Sequence, residues 1–319
     1  MPNVLVLGAT GYIGLPFSQS LLRSGNYTLY GLARTAGKAR TLTVNEITPI
    51  IGDVSDTAKL TSLISSTPID IVVDTTSAYE SSAQLLEALI SVSRSRIQTL
   101  ANEGYATPKL GFVYVSGTWV HGAPETPVSD LHPVGSSLSK SAPQDAVVWR
   151  CMHEQAILAA HDVLDVAIVR PSQIYGRTGW IWTSWWGPLL EAKKSKTTEA
   201  VEIPTKPASR PAIVHIDDVV SGMHAVTDRI HGLLGSWPVF DLIGETVLVR
   251  DVMEETRAAL GVTPPLTYIG PQNPFHEAMN VTANEKSSRA KIVLGWEAKR
   301  QSFIRDLPVY VKAWEAAQE

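Results

Sequence analysis

The stretch Val4-Leu-Val-Leu-Gly-Ala-Thr-Gly-Tyr-Ile-Gly14 decides the fold of this chain. Its first four residues form a short apolar run that predicts a strand, and apolar residues at three- and four-residue spacing over 12–24 predict a helix. The three glycines have separate tasks: the first permits a tight turn, the second lets the backbone approach a pyrophosphate, and the third allows the helix to pack closely on the strand. This order of strand, turn and helix predicts a site for the phosphates of a dinucleotide.

The N-terminal half repeats this alternation. Strands are predicted at 4–7, 28–32, 49–51, 69–73, 112–115 and 166–169, and helices at 12–24, 57–65, 81–103 and 144–160. The pattern predicts an α/β fold of Rossmann type, a doubly wound parallel sheet covered on both faces. After residue 170 the strands become isolated, and helices are expected at 217–230, 250–260 and 301–317. We therefore expect a dinucleotide-binding domain over 1–170 and a smaller mixed α/β substrate-binding lobe over 171–319, partly interleaved with the first.

The composition limits the class of protein. With 44% hydrophobic and 18% charged residues, the 319-residue chain has the composition of a soluble globular protein, and its formal net charge of -4 predicts no general affinity for nucleic acid. Cys151 is the only cysteine, which excludes an intrachain disulfide and favours a reducing compartment. The sequence has no signal-peptide pattern and no stretch near the roughly 20 apolar residues of a membrane span. We therefore expect a cytoplasmic protein without membrane contact.

The end of the second predicted strand indicates which dinucleotide binds. A site selective for NAD usually places an acidic residue there to bond the ribose 2'-hydroxyl, whereas an arginine accommodates the 2'-phosphate of NADP. This chain has Gly31-Leu-Ala-Arg34 at that position, followed by Lys38 and Arg40 and no acid. The sequence therefore predicts NADP(H) as the cofactor, held by Arg34 and Lys38. The alternative is that Arg34 is a solvated surface charge.

Further motifs follow the glycine turn in a fixed order. They are Gly52-Asp-Val54, Asp70-Ile-Val-Val-Asp74, Val115-Ser116, Arg170-Pro-Ser-Gln-Ile-Tyr-Gly176, Val214-His-Ile-Asp-Asp218 and Leu294-Gly-Trp296. With the glycine turn, they resemble the extended and atypical branch of the short-chain dehydrogenase/reductase superfamily, which includes the NAD-dependent epimerase/dehydratase proteins. The resemblance runs almost end to end through the chain, and its specificity comes from the order and spacing of the motifs together.

The resemblance implies a set of cofactor contacts. Asp53 and Val54 are expected to border the adenine, and Pro171 and Ile174 to touch the nicotinamide end. Two alternatives remain open, since Asp53 can cap the next helix and Pro171 can merely end a strand. The remaining implied contacts are Gly8, Thr10, Gly11, Tyr12, Ile13, Gly14, Thr75, Thr76, Ser77, Ser116 and Arg150.

One group of residues suggests metal ligands at first sight. His215, Asp217 and Asp218 combine an imidazole with two carboxylates. The family resemblance instead implies a structural histidine and a helix N-cap, so we expect no bound metal.

The catalytic group of the resembled family is not preserved. That group is a Ser or Thr after the fifth strand and a Tyr-x-x-x-Lys pair on the next helix, where the lysine lowers the pKa of the tyrosine that shuttles a proton. Alignment with the family places Gly117 at the serine, Ala146 at the tyrosine and Arg150 at the lysine. A second register, with Trp149 and His153 at the pair, also lacks the phenol. Arg150 can still hold the nicotinamide ribose, but it is not the same tunable base.

Two other residues are candidate proton donors. His121 follows the fifth predicted strand and Tyr175 the sixth, so both lie at the carboxyl edge where open α/β sheets bind ligands. A histidine donates a proton near neutral pH without strong tuning. Displaced catalytic residues are known in relatives such as the progesterone 5β-reductase-like enzymes, so we take His121, Tyr175 and Arg150 as the candidate catalytic set. The alternatives are a hydrogen-bonded loop histidine and a tyrosine that only packs.

Aromatic residues predict a small apolar or aromatic substrate. Four closely spaced indoles can form the wall of an apolar site. The alternative is that two or three of them are core residues of the second lobe. The candidate substrate contacts are Trp180, Trp182, Trp185, Trp186, Thr118, Trp119 and His276.

Three functions remain open. The leading hypothesis is an NADP(H)-dependent oxidoreductase that acts on an apolar carbonyl, alcohol or activated alkene. The first alternative is an isomerase, cyclase or dehydratase without net redox change, and the second is a non-catalytic NADP(H)-sensing regulator similar to the NmrA-like relatives. The residues fit a monomer and a homodimer equally well.

Overall fold

The glycine turn lies between the first strand and the first helix. The computed structural model describes residues 1–76 and 78–318. Gly8 follows β1, Asn3–Leu7, with a φ of +78°, a conformation that favours glycine. The amide of Gly11 donates to the carbonyl oxygen of Gly8 at 2.8 Å, so the turn continues through residue 13. As a result α1, Gly14–Ser24, begins two residues later than predicted.

Strands and helices alternate along the rest of the chain. The further strands are β2 (Thr28–Ala33), β3 (Thr48–Ile51), β4 (Ile71–Asp74), β5 (Leu110–Val115), β6 (Val128–Ser129), β7 (Leu164–Pro171), β8 (Gln173–Tyr175), β9 (Val201–Ile203), β10 (Ala212–His215), β11 (Val239–Leu242), β12 (Glu245–Thr246), β13 (Leu266–Tyr268) and β14 (Glu285–Lys286). The further helices are α2 (Ala36–Val44), α3 (Thr57–Ser66), α4 (Ser82–Asn102), α5 (Val148–Ala159), α6 (Thr183–Ser195), α7 (Ile216–Thr227), α8 (Val249–Leu260), α9 (Pro274–Met279) and α10 (Phe303–Ala316). Within the described residues, no helix has the length and apolar character needed to cross a membrane.

The central sheet has the strand order β11-β7-β5-β4-β1-β2-β3. Every pairing from β3 to β7 is parallel. The order reverses at β1, because the chain continues to β2 and β3 on one side and to β4 and β5 on the other. This arrangement is a doubly wound sheet, so the predicted α/β fold of Rossmann type is confirmed. The six strands predicted for the N-terminal half are all present, and β11 is an addition that the sequence pattern does not predict.

Packing divides the chain into two units. The first comprises Met1–Ser116, Met152–Arg170 and Val220–Phe240, and the second comprises Gly117–Cys151, Pro171–Val219 and Asp241–Glu319. The core of the first unit is built from strand residues such as Leu5 and Val72 and from helix residues such as Leu89. The core of the second unit includes several large aromatic side chains, among them Trp182 and Trp314. The chain passes between the units near residue 170, where the domain boundary is predicted, and also at four other positions.

The sequence pattern does not predict α2, α6 and α9. α2 buries only Leu42, so its apolar periodicity is weak, and it is fixed by Thr35, whose Oγ1 accepts the amide of Lys38 at 3.3 Å. α6 contains Pro188, a residue that normally interrupts helices, and α9 has only six residues. The predicted helix at 144–160 begins at residue 148, after the short 3-10 helix Asp145–Val147.

Candidate functional site

A cavity of about 720 Å³ lies in the first unit, at the carboxyl ends of four strands. The glycine turn follows β1, Arg34 follows β2, Asp53 follows β3 and Thr75 follows β4. This is the edge at which open α/β sheets bind ligands. The lining brings together these predicted cofactor residues: Gly8, Thr10, Gly11, Arg34, Lys38, Asp53, Val54, Thr75 and Thr76.

The glycine turn has no room for side chains. A Cβ on Gly14 would lie 2.2 Å from the carbonyl oxygen of Gly8, and a Cβ on Gly8 would lie 2.7 Å from Oγ1 of Thr75. That hydroxyl donates to the carbonyl oxygen of Leu7 at 2.8 Å, which fixes the end of β4 against the turn. Ile13, the N-cap of α1, makes no side-chain cap hydrogen bond. The positive end of the helix dipole is therefore left to interact with an anion, as a phosphate site requires.

Two cations line the cavity beyond the end of β2. Arg34 is exposed directly after the strand, and Lys38 lies in the first turn of α2. The end of β2 carries no carboxylate of its own, since its last residues are Gly31, Leu32 and Ala33. This part of the cavity therefore presents positive charge where an NAD-selective site usually presents an acid.

Asp53 supplies negative charge near the end of β3. Its carboxylate accepts the amide of Ser55 at 2.9 Å and the Ser55 hydroxyl at 2.7 Å. These hydrogen bonds, with a smaller contribution from the charge of Arg34, hold the Asp53 pKa below its ordinary value. The N-cap of α3 is Asp56, which accepts the amide of Lys59 at 3.0 Å. The alternative interpretation of Asp53 as the helix cap is therefore wrong.

The segment after β4 adds lining residues that the sequence analysis does not single out. Tyr79–Ser81 forms a 3-10 helix directly before α4. Its position a few residues after the Thr75-Thr76 pair at the sheet edge is the signal that indicates it. Ser77, a predicted cofactor contact, lies outside the described residues. The lining residues that this segment adds are Ala78, Tyr79, Glu80 and Ser81, and the cavity is also lined by Leu32 in β2 and Ser55 after β3.

Other predicted cofactor contacts do not line this cavity. Ser116 follows β5, and its buried Oγ has no hydrogen-bond partner among the described residues. Arg150 belongs to the second unit, where its guanidinium lies 4.8 Å from the centroid of the Trp149 ring. Their contacts with a cofactor stay predictions. The complete set outside the lining is Tyr12, Ile13, Gly14, Ser116, Arg150, Pro171 and Ile174.

His121 is fixed by a buried carboxylate. It ends the 3-10 helix Thr118–His121, and its Nε2 lies 2.7 Å from Oδ2 of Asp241. Both side chains are almost completely buried. Burial, together with the nearby Asp241 charge, raises the pKa of Asp130 to about 6, although backbone amides that donate to Asp130 act in the opposite direction. The second unit therefore holds a cluster of one imidazole and two carboxylates in its interior.

Tyr175 packs in the core of the second unit. Its phenol donates to the carbonyl oxygen of Arg300 at 3.1 Å, and its ring meets Phe303 and Tyr310 at centroid distances of 4.6 and 5.0 Å. Only 1% of the residue is exposed, and burial raises the pKa of the phenol above its ordinary value. These contacts favour the packing interpretation over a role as proton donor.

Trp182, Trp185 and Trp186 also lie in the core of the second unit. They are 0%, 0% and 1% exposed, which favours the core interpretation for these three indoles. Trp180 differs, because 61% of it is exposed and its ring stacks on Phe275. His276 lies in α9, and partial burial lowers its pKa.

The group at His215 makes hydrogen bonds within the second unit. Nδ1 of His215 accepts the amide of Asp217 at 3.1 Å. Asp218 accepts the amides of Lys299 and Arg300 at 3.1 and 3.0 Å. These contacts connect the start of α7 to the segment before α10 and fit a structural role.

The sequence comparison identifies one family. The family model of the NAD dependent epimerase/dehydratase family matches residues 4–234, which include the glycine turn and the strands around the cavity. No curated protein matches the chain in sequence.

Solved structures share the fold over nearly the whole chain. The dTDP-glucose 4,6-dehydratase of Bacillus anthracis, in complex with NAD, is 15% identical over 99% of this chain and 97% of its own, with a TM-score of 0.71. The UDP-glucuronic acid 4-epimerase of Bacillus cereus, in complex with UDP-glucuronic acid and NAD, is 16% identical over 98% of this chain and 99% of its own, with a TM-score of 0.70. The UDP-glucose 4-epimerase of Bifidobacterium longum, with NAD+ and UDP, is 19% identical over 98% of both chains, with a TM-score of 0.67.

Proposed function

Because the chain belongs to the NAD-dependent epimerase/dehydratase family, we propose that it is an NADP(H)-dependent oxidoreductase that acts on an apolar small-molecule carbonyl, alcohol or activated alkene. The observation that carries this proposal is the cavity of the first unit, in which a bare glycine turn shares the lining with Arg34 and Lys38. Its volume of about 720 Å³ falls in the range of about 300–1,000 Å³ that is typical of small-molecule sites.

The preference for NADP(H) rests on the residues of this chain. The solved structures named above contain NAD, so the fold alone gives no reason to expect a cofactor with a 2'-phosphate. Arg34 and Lys38 line the cavity beyond the end of β2, where the adenosine ribose binds in Rossmann-type sites. A phosphate held by a guanidinium gains charge-assisted hydrogen bonds that a hydroxyl cannot match. Asp53 and Val54 line the same cavity after β3, which supports the proposal that they border the adenine.

The chemistry of the proposed reaction divides between cofactor and protein. Bound NADPH would supply the hydride. The chain must position the substrate and donate a proton to the carbonyl oxygen as the carbon is reduced. We assign this proton to His121, because Asp241 fixes its ring and an imidazole exchanges protons near neutral pH. Arg150 then acts as a fixed positive charge and not as a base.

Labelled cofactor tests this proposal. The enzyme is incubated with NADPH deuterated at the transferable position and with a panel of lipophilic ketones, and deuterium in the alcohol products is measured by mass spectrometry. We expect transfer to at least one ketone and a loss of about 100-fold in rate for His121→Gln, in line with the contribution of general acid catalysis. His161→Gln, which changes an exposed histidine, is the matched control. Deuterium transfer at an unchanged rate in His121→Gln would show that His121 is not the proton donor.

A non-redox isomerase, cyclase or dehydratase is the second candidate. It is favoured by the family itself, whose description covers epimerases and dehydratases. Conversion of a substrate without deuterium transfer to product and without net loss of NADPH would support it. If NADPH binds but no conversion occurs, the third hypothesis, a non-catalytic NADP(H)-sensing regulator, is the one that remains. The observation that favours it is the hydrogen bond of the Tyr175 hydroxyl to the carbonyl oxygen of Arg300, because this contact already uses the proton of one candidate donor.

A further inference from the structure

An aromatic shelf in the second unit is formed by Trp119, Trp180 and Phe275. The rings of Trp180 and Phe275 are 6.0 Å apart between centroids and only 20° from parallel. Trp119 meets Phe275 edge-on, with its ring centroid 5.7 Å from that of Phe275 and its plane 79° from parallel. The outer ring, Trp180, is 61% exposed. The shelf therefore presents an open indole to solvent, backed by a nearly parallel ring.

The shelf is held in place by hydrogen bonds. Phe275 lies in α9, which begins at Pro274 and is capped by Asn273, whose Oδ1 accepts the amide of His276 at 2.8 Å. The other end of α9 is fixed by Gln173, whose Nε2 donates to the carbonyl oxygen of Met279 at 3.2 Å. A platform fixed in this way loses little entropy when a ligand binds.

The core of the second unit does not account for Trp180. The three neighbouring indoles are almost fully buried and form that core, whereas most of Trp180 faces solvent. Large exposed aromatic groups that touch one another are typical of binding surfaces. The flat geometry of the stack favours a flat occupant, since a further ring can lie on the exposed face in an offset-stacked arrangement.

A groove of about 530 Å³ begins beside the shelf. Pro274, the residue before Phe275, lines it together with Pro143 and Pro271. Its charged lining residues are Asp145 and Glu277, and no Lys or Arg is among the described residues that line it. Glu277 forms an ion pair with Nζ of Lys206 at 3.0 Å, so its charge is balanced. The groove therefore offers proline rings and polar groups next to the shelf.

We propose that the shelf binds the planar aromatic part of a small-molecule ligand. The assignment of this ligand as the substrate rests on the proposed function, whereas its binding to the shelf does not. It specifies the apolar substrate further, because an aromatic ring gains an offset-stacked contact with Trp180 that is more favourable than the packing of a saturated ring of the same size.

Calorimetry without any dinucleotide tests the shelf directly. The probes are 2-acetylnaphthalene and its saturated counterpart 2-acetyldecalin. We expect the naphthyl ketone to bind at least tenfold more tightly than the decalin ketone. Trp180→Ala should weaken naphthyl binding about tenfold, or about 1.4 kcal/mol, whereas Trp180→Phe should retain most of the affinity. Tyr105→Ala is the matched control, because Tyr105 is 65% exposed and lies in the first unit.

Two results would overturn the proposal. They are equal affinity for the naphthyl and decalin ketones and unchanged naphthyl affinity in Trp180→Ala. Failure here is distinguishable from failure of the proposed function. If hydride transfer from NADPH occurs while Trp180→Ala leaves binding unchanged, only the shelf proposal is wrong. If the naphthyl ketone binds as expected but no hydride is transferred to any ketone, only the oxidoreductase proposal is wrong.

Discussion

Arg170 and Glu154 form a buried ion pair in the first unit. The guanidinium donates from Nη2 to Glu154 Oε2 at 2.5 Å and from Nε to both carboxylate oxygens at 3.1 to 3.2 Å. Neither side chain is exposed. Arg170 opens one of the sequence motifs, and this contact gives the motif a structural reason: it fastens the end of β7 to α5.

Glu154→Gln should destabilise the protein strongly. The substitution keeps the size of the side chain but takes away the charge that the guanidinium contacts, which typically costs about 3–5 kcal/mol in a buried pair. Urea denaturation measures the change in unfolding free energy. Glu315→Gln, which breaks the exposed pair with Lys193, is the control and should cost less than about 1 kcal/mol. Equal effects of the two substitutions would contradict this account of the motif.

Asp130 makes stability depend on pH. Its folded pKa of about 6 lies above its ordinary value of 3.8. Between these two values the unfolded chain has released the proton while the folded chain still holds it, so stability falls as pH rises through this window. Above about pH 6 the Asp130 carboxyl has released its proton in the folded protein as well, so the loss of stability that it causes is complete.

Asp130→Asn should remove this dependence. The asparagine cannot ionise, so the stability of the native protein relative to the variant should decrease from pH 4.5 to pH 7. Chemical denaturation at several pH values measures the difference in unfolding free energy. A difference that stays constant or grows with pH would show that the Asp130 carboxyl is not protonated at pH 5.

The glycine turn and α1 act together at the scale of elements. Gly14→Ala would place a methyl group 2.2 Å from the carbonyl oxygen of Gly8, so the first turn of α1 must move away from β1. We expect a loss of about 1–3 kcal/mol, as for other overpacked sites, and weaker dinucleotide binding. Gly37→Ala in α2 is the matched control, because a Cβ there meets nothing within 4 Å. That variant should be neutral or up to about 1 kcal/mol more stable. Thermal unfolding of both variants checks the prediction.

The elements of the parallel sheet were predictable because each strand is a continuous apolar run and each long helix has an apolar face. α2 shows where this reasoning ends, since a helix that buries only Leu42 has almost no apolar period to detect. α6 was not predicted for a related reason, because Pro188 within it is a residue that normally interrupts helices. The cavity residues could be found from their places after the strands, without any knowledge of side-chain contacts.

The second unit was harder to predict at the scale of the whole molecule. Residues 117–151 belong to it although they precede the predicted boundary at 170, and such a distribution depends on long-range contacts that have no local signature. The same limit applies to the tryptophans. Four indoles close in sequence suggest one binding surface, but three of them are buried and Trp180 is exposed. Phe275, the ring that supports Trp180, is distant in sequence and gave no signal.

We propose that NADP(H) binds in the cavity of the first unit, although the solved structures that share this fold contain NAD. Isothermal titration of the purified protein with NADPH and NADH tests it most directly, with Arg34→Ala and, as a matched control, Arg40→Ala, a nearby exposed cation that does not line the cavity. We predict that NADPH binds at least tenfold more tightly than NADH. Arg34→Ala should abolish this preference, because a charge-assisted hydrogen bond contributes about 1.5–3 kcal/mol. Arg40→Ala should retain the preference. Equal affinity for the two cofactors, or a preference that survives Arg34→Ala, would contradict the claim.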